Sequence, residues 1–180
     1  MFERFQLPVD GSEGIGVMEI AIGGQPVTIR PIRMDMELES DFIRSLTPDS
    51  KHFRFLCGAS ILPASELRRL CDVDGRKRKA FVASVHRDGC EVKIGVCRFA
   101  PNASSDVQEI AVTISDEWQH KGLESMLMRA LIESAKSTGV RQLYSIDTVD
   151  NTAMSALAKE LGMSSSPGSG PRQVVHSLTL

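Results

Sequence analysis

The stretch from Val107 to Asp147 constrains the fold more than any other part of the chain. "VQEIAVTI" (107–114) and "VRQLYSID" (140–147) read as strands, and Gly122 to Thr138 between them carries Leu123, Met126, Leu127, Ala130, Leu131 and Ala135 on one helical face, with Gly139 as a C-cap. Two strands separated by a helix of that length cannot close as a hairpin. They are expected to lie parallel, joined by a right-handed crossover.

The segments before this unit predict antiparallel neighbours and a group of helices. After 16 glycine-containing, aperiodic residues, "VMEIAI" (17–22), "GGQP" and "VTIRPI" (27–32) read as strand, turn, strand. From Asp35 the spacing of Met36, Phe42, Ile43 and Leu46 is helical, and Thr47-Pro48 stops it. Pro48 can open a second helix, Asp49 to Leu56, with Phe53, Phe55 and Leu56 apolar. "PASELRRLCDV" reads as a third, capped by Ser65, with Leu67, Leu70 and Cys71 as its stripe. "KAFVASVH" and "EVKIGVCRF" flank the turn Arg87-Asp88-Gly89, and "PNASSD" leads into "VQEIAVTI", which predicts a three-stranded meander.

Beyond the parallel unit, Asn151 to Leu161 is predicted helical and ended by Gly162. "SSSPGSGP" reads as a turn-rich loop, and "QVVHSLTL" as a closing strand with Val174, His176, Leu178 and Leu180 on one face. The fold class expected is α+β, a mixed α/β sandwich with a central mixed sheet flanked by helices.

Length and composition narrow the function classes. A chain of 180 residues, 42% hydrophobic, fits one domain and leaves no room for a second. A formal charge of -2 supplies no global field for a phosphate backbone, so nucleic acid is not an expected partner. "MFERFQLPVDGSEG" lacks a signal-peptide core and no apolar run approaches a membrane span, so a cytoplasmic protein without membrane association is expected. Cys57, Cys71, Cys90 and Cys97 are irregularly spaced with no nearby histidine pairs, which predicts reduced, mostly packed thiols, no metal site and no disulfide framework.

Chemistry concentrates at "TISDEWQHKGLESMLMRAL". A helix N-terminus leaves N–H groups unpaired and carries partial positive charge, so a loop ending there can cradle a pyrophosphate. Gly122 lets backbone approach closely, and His120 and Lys121 add donors; an ordinary strand-to-helix connection carries the same features. On the preceding strand, Val107, Glu109, Ala111 and Thr113 share one face. An acid among small residues on a central strand is costly if fully buried, so Glu109 either opens to a cleft or pairs across strands with Lys93 or Arg98.

"WQHKGLESMLMRALIESAKSTGVRQL" followed by "DNTAMSALAKELGM" resembles the acetyl-CoA-binding core of the GNAT superfamily of N-acetyltransferases. The family loop has Gln or Arg, two residues, Gly, one residue, then Gly or Ala; Gln119 and Gly122 match and Glu124 departs. "VTIRPIR" and "TPDSKHFRFL" are similar to the opening of the domain in bacterial protein-lysine acetyltransferases, where it often follows a large acyl-CoA-synthetase-like region. No such region stands in these 180 residues, so the regulation it gives is not expected. The division expected is an N-terminal extension with the first hairpin strand, 1–25, and a GNAT domain, 26–180.

The resemblance implies two central parallel strands that splay to admit the pantetheine arm along Ile110, Ala111, Val112 and Ile114. It implies a pyrophosphate cradle formed by Gln119, His120, Lys121, Gly122, Leu123, Glu124 and Ser125, with Asn151 and Ser155 contributed by the later helix. Acetyl-CoA is then the co-substrate, an amine or protein lysine the acceptor, and Glu109 the general base; homodimerisation stays open. The Val112 N–H is a candidate for holding the oxyanion. Many family members have a general-acid Tyr where Ala158 stands, so Ser155 or water is left for that role. Tyr144, the only tyrosine, is expected to pack in the sheet, and Trp118 where strand meets loop.

Glu124 adds like charge and bulk where the family has a hydrogen or a methyl. The alternative reading is therefore a catalytically weak or inactive GNAT-fold module that senses acyl-CoA or binds a protein. "GRKRK" (75–79) is read as a solvated basic loop in preference to a contact for the CoA 3′-phosphate or an acidic partner.

Overall fold

The computed structural model describes residues 9–10, 14–55, 62–101 and 106–180, with side chains from residue 16 onward except 54 and 55. Two short strands, β1 (Val9–Asp10) and β2 (Gly14–Ile15), pair antiparallel with each other inside the stretch read as aperiodic. A ladder of two residues per strand is too short to leave a periodic trace. The hairpin that follows, β3 (Met18–Ile22) and β4 (Gln25–Pro31), turns at Gly23-Gly24, both at positive φ.

Three helices come next: α1 (Met36–Ser45), α2 (Pro48–Phe55) and α3 (Ala64–Cys71). Thr47 caps α2, its hydroxyl accepting from Ser50 N–H at 3.3 Å. Ser65 does not cap α3. Pro63 occupies that position without a side-chain bond, so Ser65 lies one residue inside the helix. Leu56 and Cys57 fall outside the described residues.

The meander is β5 (Lys79–Arg87), β6 (Cys90–Pro101) and β7 (Val107–Ile114). Arg87 pairs with Cys90, so the turn is the two residues Asp88 and Gly89, with φ of 53° and 78° as a tight two-residue hairpin requires. Then come α4 (Leu123–Ser137), β8 (Gln142–Thr148), α5 (Thr152–Glu160), β9 (Ser164–Pro167) and β10 (Gln173–Thr179). Strand β9 corrects the loop expected at "SSSPGSGP": Ser164 to Pro167 pair with β10 as an exposed edge, and exposed serines show no apolar alternation.

One eight-stranded sheet has the order β3-β4-β5-β6-β7-β8-β10-β9. Among its ladders only β7 with β8 is parallel, as the crossover helix dictates. On one face α4 sets Leu123, Leu127, Met128 and Leu131 at 0% exposure against the strands. The backbone approach is close there: a Cβ on Gly95 would stand 2.7 Å from Ile114 Cδ1, so this position admits only glycine without a shift.

The opposite face carries α1, packed through Phe42, Ile43 and Leu46 on Val96. Here Glu39 of α1 is buried between two strand cations. It hydrogen-bonds Lys93 Nζ, and Arg98 Nη2 donates to Glu39 Oε1 at 3.1 Å. Lys93 also lies 5.0 Å from the centre of the Phe42 ring. Burial drives its ammonium down to about 8, against the opposing pull of Glu39. Arg98 Nη1 further donates to Leu70 O at 2.7 Å, which ties α3 to the same strand. Both cations weighed as partners for Glu109 are thus held by Glu39.

Cys71 and Cys97 are buried free thiols and Cys90 is an exposed one at the hairpin. Burial pushes the Cys97 thiol up to about 12. No helix among the described residues is long and apolar enough to cross a membrane.

Candidate active site

The site begins where a ladder stops. Strands β7 and β8 pair through Val107 with Gln142, Gln108 with Leu143 and Glu109 with Tyr144. Both strands continue, to Ile114 and Thr148, but no further pairs form. The strands therefore part just beyond Glu109 and open a cleft of about 1160 Å³.

Glu109 lies at the closed end of this opening, exposed and on the sheet face that carries α2. Tyr144, its neighbour across the parallel pair, donates from its hydroxyl to Glu109 Oε2 at 3.4 Å. Tyr144 is half-buried and engages the acid, which corrects the expectation that it serves sheet packing alone. The signal was available only through register, since nothing in the sequence shows which residue of β8 stands opposite Glu109.

Ile110, Ala111, Val112 and Ile114 continue along the cleft wall above Glu109. Two hydroxyls that sequence reasoning passed over also line it. Thr113 is 8% exposed and Ser145 4%, and neither Thr113 Oγ1 nor Ser145 Oγ has a hydrogen-bond partner among the described residues. Buried hydroxyls without partners are costly, so a chain of amides lying between the strands fits this wall.

At the open end the connection runs through a 3-10 turn, Asp116–Trp118, into α4. Trp118 is 2% exposed in the main core, and Lys121 Nζ stands 4.9 Å from its ring centre. His120 and Gly122 take positive φ, 59° and 81°, and Gly122 is the N-cap residue of α4. Gly122 adopts this left-handed entry into α4 without the steric penalty a side chain carries. Gln119 lines the cleft, but its amide nitrogen donates to Ser50 Oγ and Ile114 O, both at 3.2 Å, and so fixes the loop to α2.

Asp116 tightens the same junction by accepting from Thr47 N–H at 3.1 Å, Thr47 Oγ1 at 2.7 Å and Ser50 Oγ at 2.9 Å. Burial tends to raise its pKa, and these hydrogen bonds outweigh it, so Asp116 lies below the ordinary carboxylate range.

The cradle residues divide. His120, Gly122, Glu124 and Ser125 line the cleft, while Leu123 is in the core and Lys121 lies over Trp118. Ser125 Oγ donates to Glu160 Oε2 at 2.8 Å, and Arg129 pairs with Glu160 at 3.4 Å. Asn151 lines the cleft and caps α5, accepting from Met154 N–H at 3.1 Å while its amide donates to Asp147 Oδ1 at 3.1 Å. Ser155 is half-buried outside the cleft wall, and Ala158 is 0% exposed.

The lining is acidic: Asp49, Glu109, Asp116, Glu124, Asp147, Asp150 and Glu160 belong to it, and among the described residues no Lys or Arg does. Sequence order hides this, because those seven residues come from α2, β7, the 3-10 turn, α4, β8, the turn after β8 and α5.

Residues 27–164 match the acetyltransferase (GNAT) domain model. The chain is 40% identical to the acetyltransferase PA5475 of Pseudomonas aeruginosa over 170 residues, which is 93% of this chain and 91% of that protein. It is 37% identical to the acetyltransferase Pat of Mycolicibacterium smegmatis over 59 residues, 33% of this chain and 18% of that one. The crystal structure of the GNAT domain of S. lividans PAT superimposes with a TM-score of 0.82 at 22% identity, covering 91% of this chain and 97% of that one. With the parting strands and the left-handed entry into α4, these matches place the chain in the GNAT acetyltransferase family, as an acetyl-CoA-dependent acyltransferase.

Proposed function

We propose that the protein transfers acetyl from acetyl-CoA to a primary amine, the side chain of a protein lysine, by direct attack with Glu109 as general base. The observation that carries this reading is the end of the β7–β8 ladder at Glu109 and Tyr144. It sets a carboxylate at the closed end of a cleft whose open end is a helix N-terminus. A phosphate-bearing acyl carrier entering there has its anionic end at α4 and its reactive end at Glu109.

The amine has an intrinsic pKa of ~10 and is mostly ammonium at neutral pH, so it has no lone pair for attack until a proton leaves. Glu109, directly or through a water, takes that proton. The nitrogen then bonds to the acetyl carbon, the C–S bond breaks, and the amide and CoA thiol are released. The Val112 N–H is our candidate donor to the developing oxyanion. Ala158 has no proton to give, and with a thiol pKa near ~8.5 the thiolate is a fair leaving group, which takes the second proton of the attacking nitrogen through water.

Glu109→Gln is expected to lower kcat by roughly 10²- to 10⁴-fold with acetyl-CoA affinity unchanged, as removal of a general base does. Steady-state kinetics beside calorimetric titration of acetyl-CoA reads both quantities. An unchanged kcat removes Glu109 from the chemistry.

A second reading rests on Glu124, which lines the cleft beside the N-terminus of α4 with no Lys or Arg among the described lining residues to balance it. On that reading the module holds acyl-CoA weakly and acts by binding. Glu124→Gly is expected to tighten acetyl-CoA by about 10- to 100-fold. Wild-type protein that binds at micromolar concentration and turns over removes the second reading.

A further inference from the structure

The acidic cleft has a basic neighbour. On β6, Ala100 is the register partner of Glu109 and Arg98 that of Ala111, so these residues share a sheet face one strand apart. Ala100 and Arg98 also line a second, smaller groove of about 120 Å³. Its walls bring together Arg69 of α3, which pairs with Glu66 at 2.9 Å, Arg78 and Lys79 at the start of β5, and Arg98; among the described residues Asp72 is the one carboxylate in the lining itself.

The loop before β5 extends this positive surface. Asp74 accepts from the N–H groups of Arg76, Lys77 and Arg78 at 2.9, 2.7 and 2.9 Å. That carboxylate is engaged in turning the loop, and the side chains of Arg76, Lys77 and Arg78 stay exposed. Arg98 of the groove shares the carboxylate of Glu39 with Lys93, so one negative charge there answers two cations. The chain's overall charge of -2 conceals this separation.

The groove cannot serve the anionic end of acetyl-CoA. It lies beside the β7 end at Gln108 and Glu109, whereas α4 begins past the other end, Ile114. At ~3.4 Å per residue those ends are roughly 17 Å apart along the strand.

We propose that this basic groove docks an acidic stretch of the acceptor protein, so that the enzyme selects lysines flanked by Asp or Glu. The inference rests on the acetyltransferase reading above. Acceptor lysine is drawn to Glu109 and Asp49 at the cleft, and the groove begins one strand over, about 5 Å away between paired Cα atoms, and reaches β5 at roughly 10 Å. An extended peptide covers that span in two to four residues, so the acidic flank lies within about four residues of the lysine. Opposite charges on adjacent surfaces then fix the direction in which the peptide crosses the site.

The test uses two fluorescent peptides with one central lysine, one flanked by Asp and Glu and the other by Arg, beside a small primary amine that has no flanks. Binding is read by anisotropy and acetylation by release of CoA thiol, for the wild type, Arg78→Glu and Arg69→Glu. The proposal expects the wild type to prefer the acidic peptide by at least ~10-fold in kcat/KM, a preference that shrinks with added salt and collapses toward unity in both variants. Equal use of the two peptides by the wild type overturns it, as does a preference that survives both charge reversals. Displacement of the acidic peptide from the groove by a short DNA duplex at tenfold lower concentration also overturns it, in favour of nucleic acid. If no acceptor is acetylated, the small amine included, the transferase reading fails, while anisotropy still decides the groove.

Discussion

On one face of the sheet α4 sets Leu123, Leu127, Met128 and Leu131 fully into the core, whereas on the other α1 reaches the strands through a buried carboxylate that Lys93 and Arg98 share. The apolar face supports the loop and helix N-terminus that we propose receive the acyl donor. The ion-paired face supports the ground over which the proposed acceptor approaches. Apolar packing is non-directional and tolerates substitution by volume, while a shared buried carboxylate fixes α1 at one height against β6. The contrast teaches that the donor side is held by shape and the acceptor side by charge.

The largest effect should come from removing the shared charge. Glu39→Ala leaves two buried cations without their carboxylate and is expected to destabilise the fold by about 3 to 5 kcal/mol in urea denaturation. A cost under about 1 kcal/mol breaks the comparison, because α1 would then be held by Phe42, Ile43 and Leu46 alone. On the other face Leu131→Ala is expected to cost about 2 to 5 kcal/mol through lost burial and the cavity left behind. That variant should be rescued in part by a small apolar ligand, which Glu39→Ala should not be.

The pH response sharpens the same contrast at smaller size. The folded pKa of Lys93 is lowered to about 8 while the unfolded value is ~10.4, so between those values the unfolded chain binds the extra proton. Stability then rises with pH across that window, by up to about 1.4 kcal/mol per pH unit, as a buried ammonium is relieved. Lys93→Met, with no proton to lose, should lack that rise in denaturation curves taken at several pH values. The smallest effect is expected at Thr47→Ala, about 0.5 to 2 kcal/mol, because it removes the cap of α2 and one bond to Asp116. If it also weakens acetyl-CoA binding in calorimetry, the α2 junction supports the donor loop as well as the helix.

Several elements were legible in the residues because their signals are local. The crossover unit shows in the helical spacing of Leu123, Leu127 and Leu131 between two alternating strands, and the later helix shows from Asn151 to its end before Gly162, although that Asn151 caps it is seen only in the structure. Other features were not legible because they depend on register or on distant neighbours. Ser164 to Pro167 form a strand only because β10 lies beside them. Tyr144 serves Glu109 because the ladder happens to pair those two residues, and a one-residue slip would turn it to the other face. Lys93 and Arg98 looked available to Glu109 until α1 brought Glu39 between them.

By itself, then, the sequence determined the order of strands and helices apart from β1, β2 and β9, the parallel crossover and the glycine-bearing entry to α4, since each follows from periodicity or backbone freedom within a few residues. Only the tertiary structure decided where β7 and β8 part, which carboxylate stays exposed at that point, and that an acidic cleft adjoins a basic groove. Those outcomes depend on which side chains meet across the sheet, and the separation of two charges in space is not encoded in their separation along the chain.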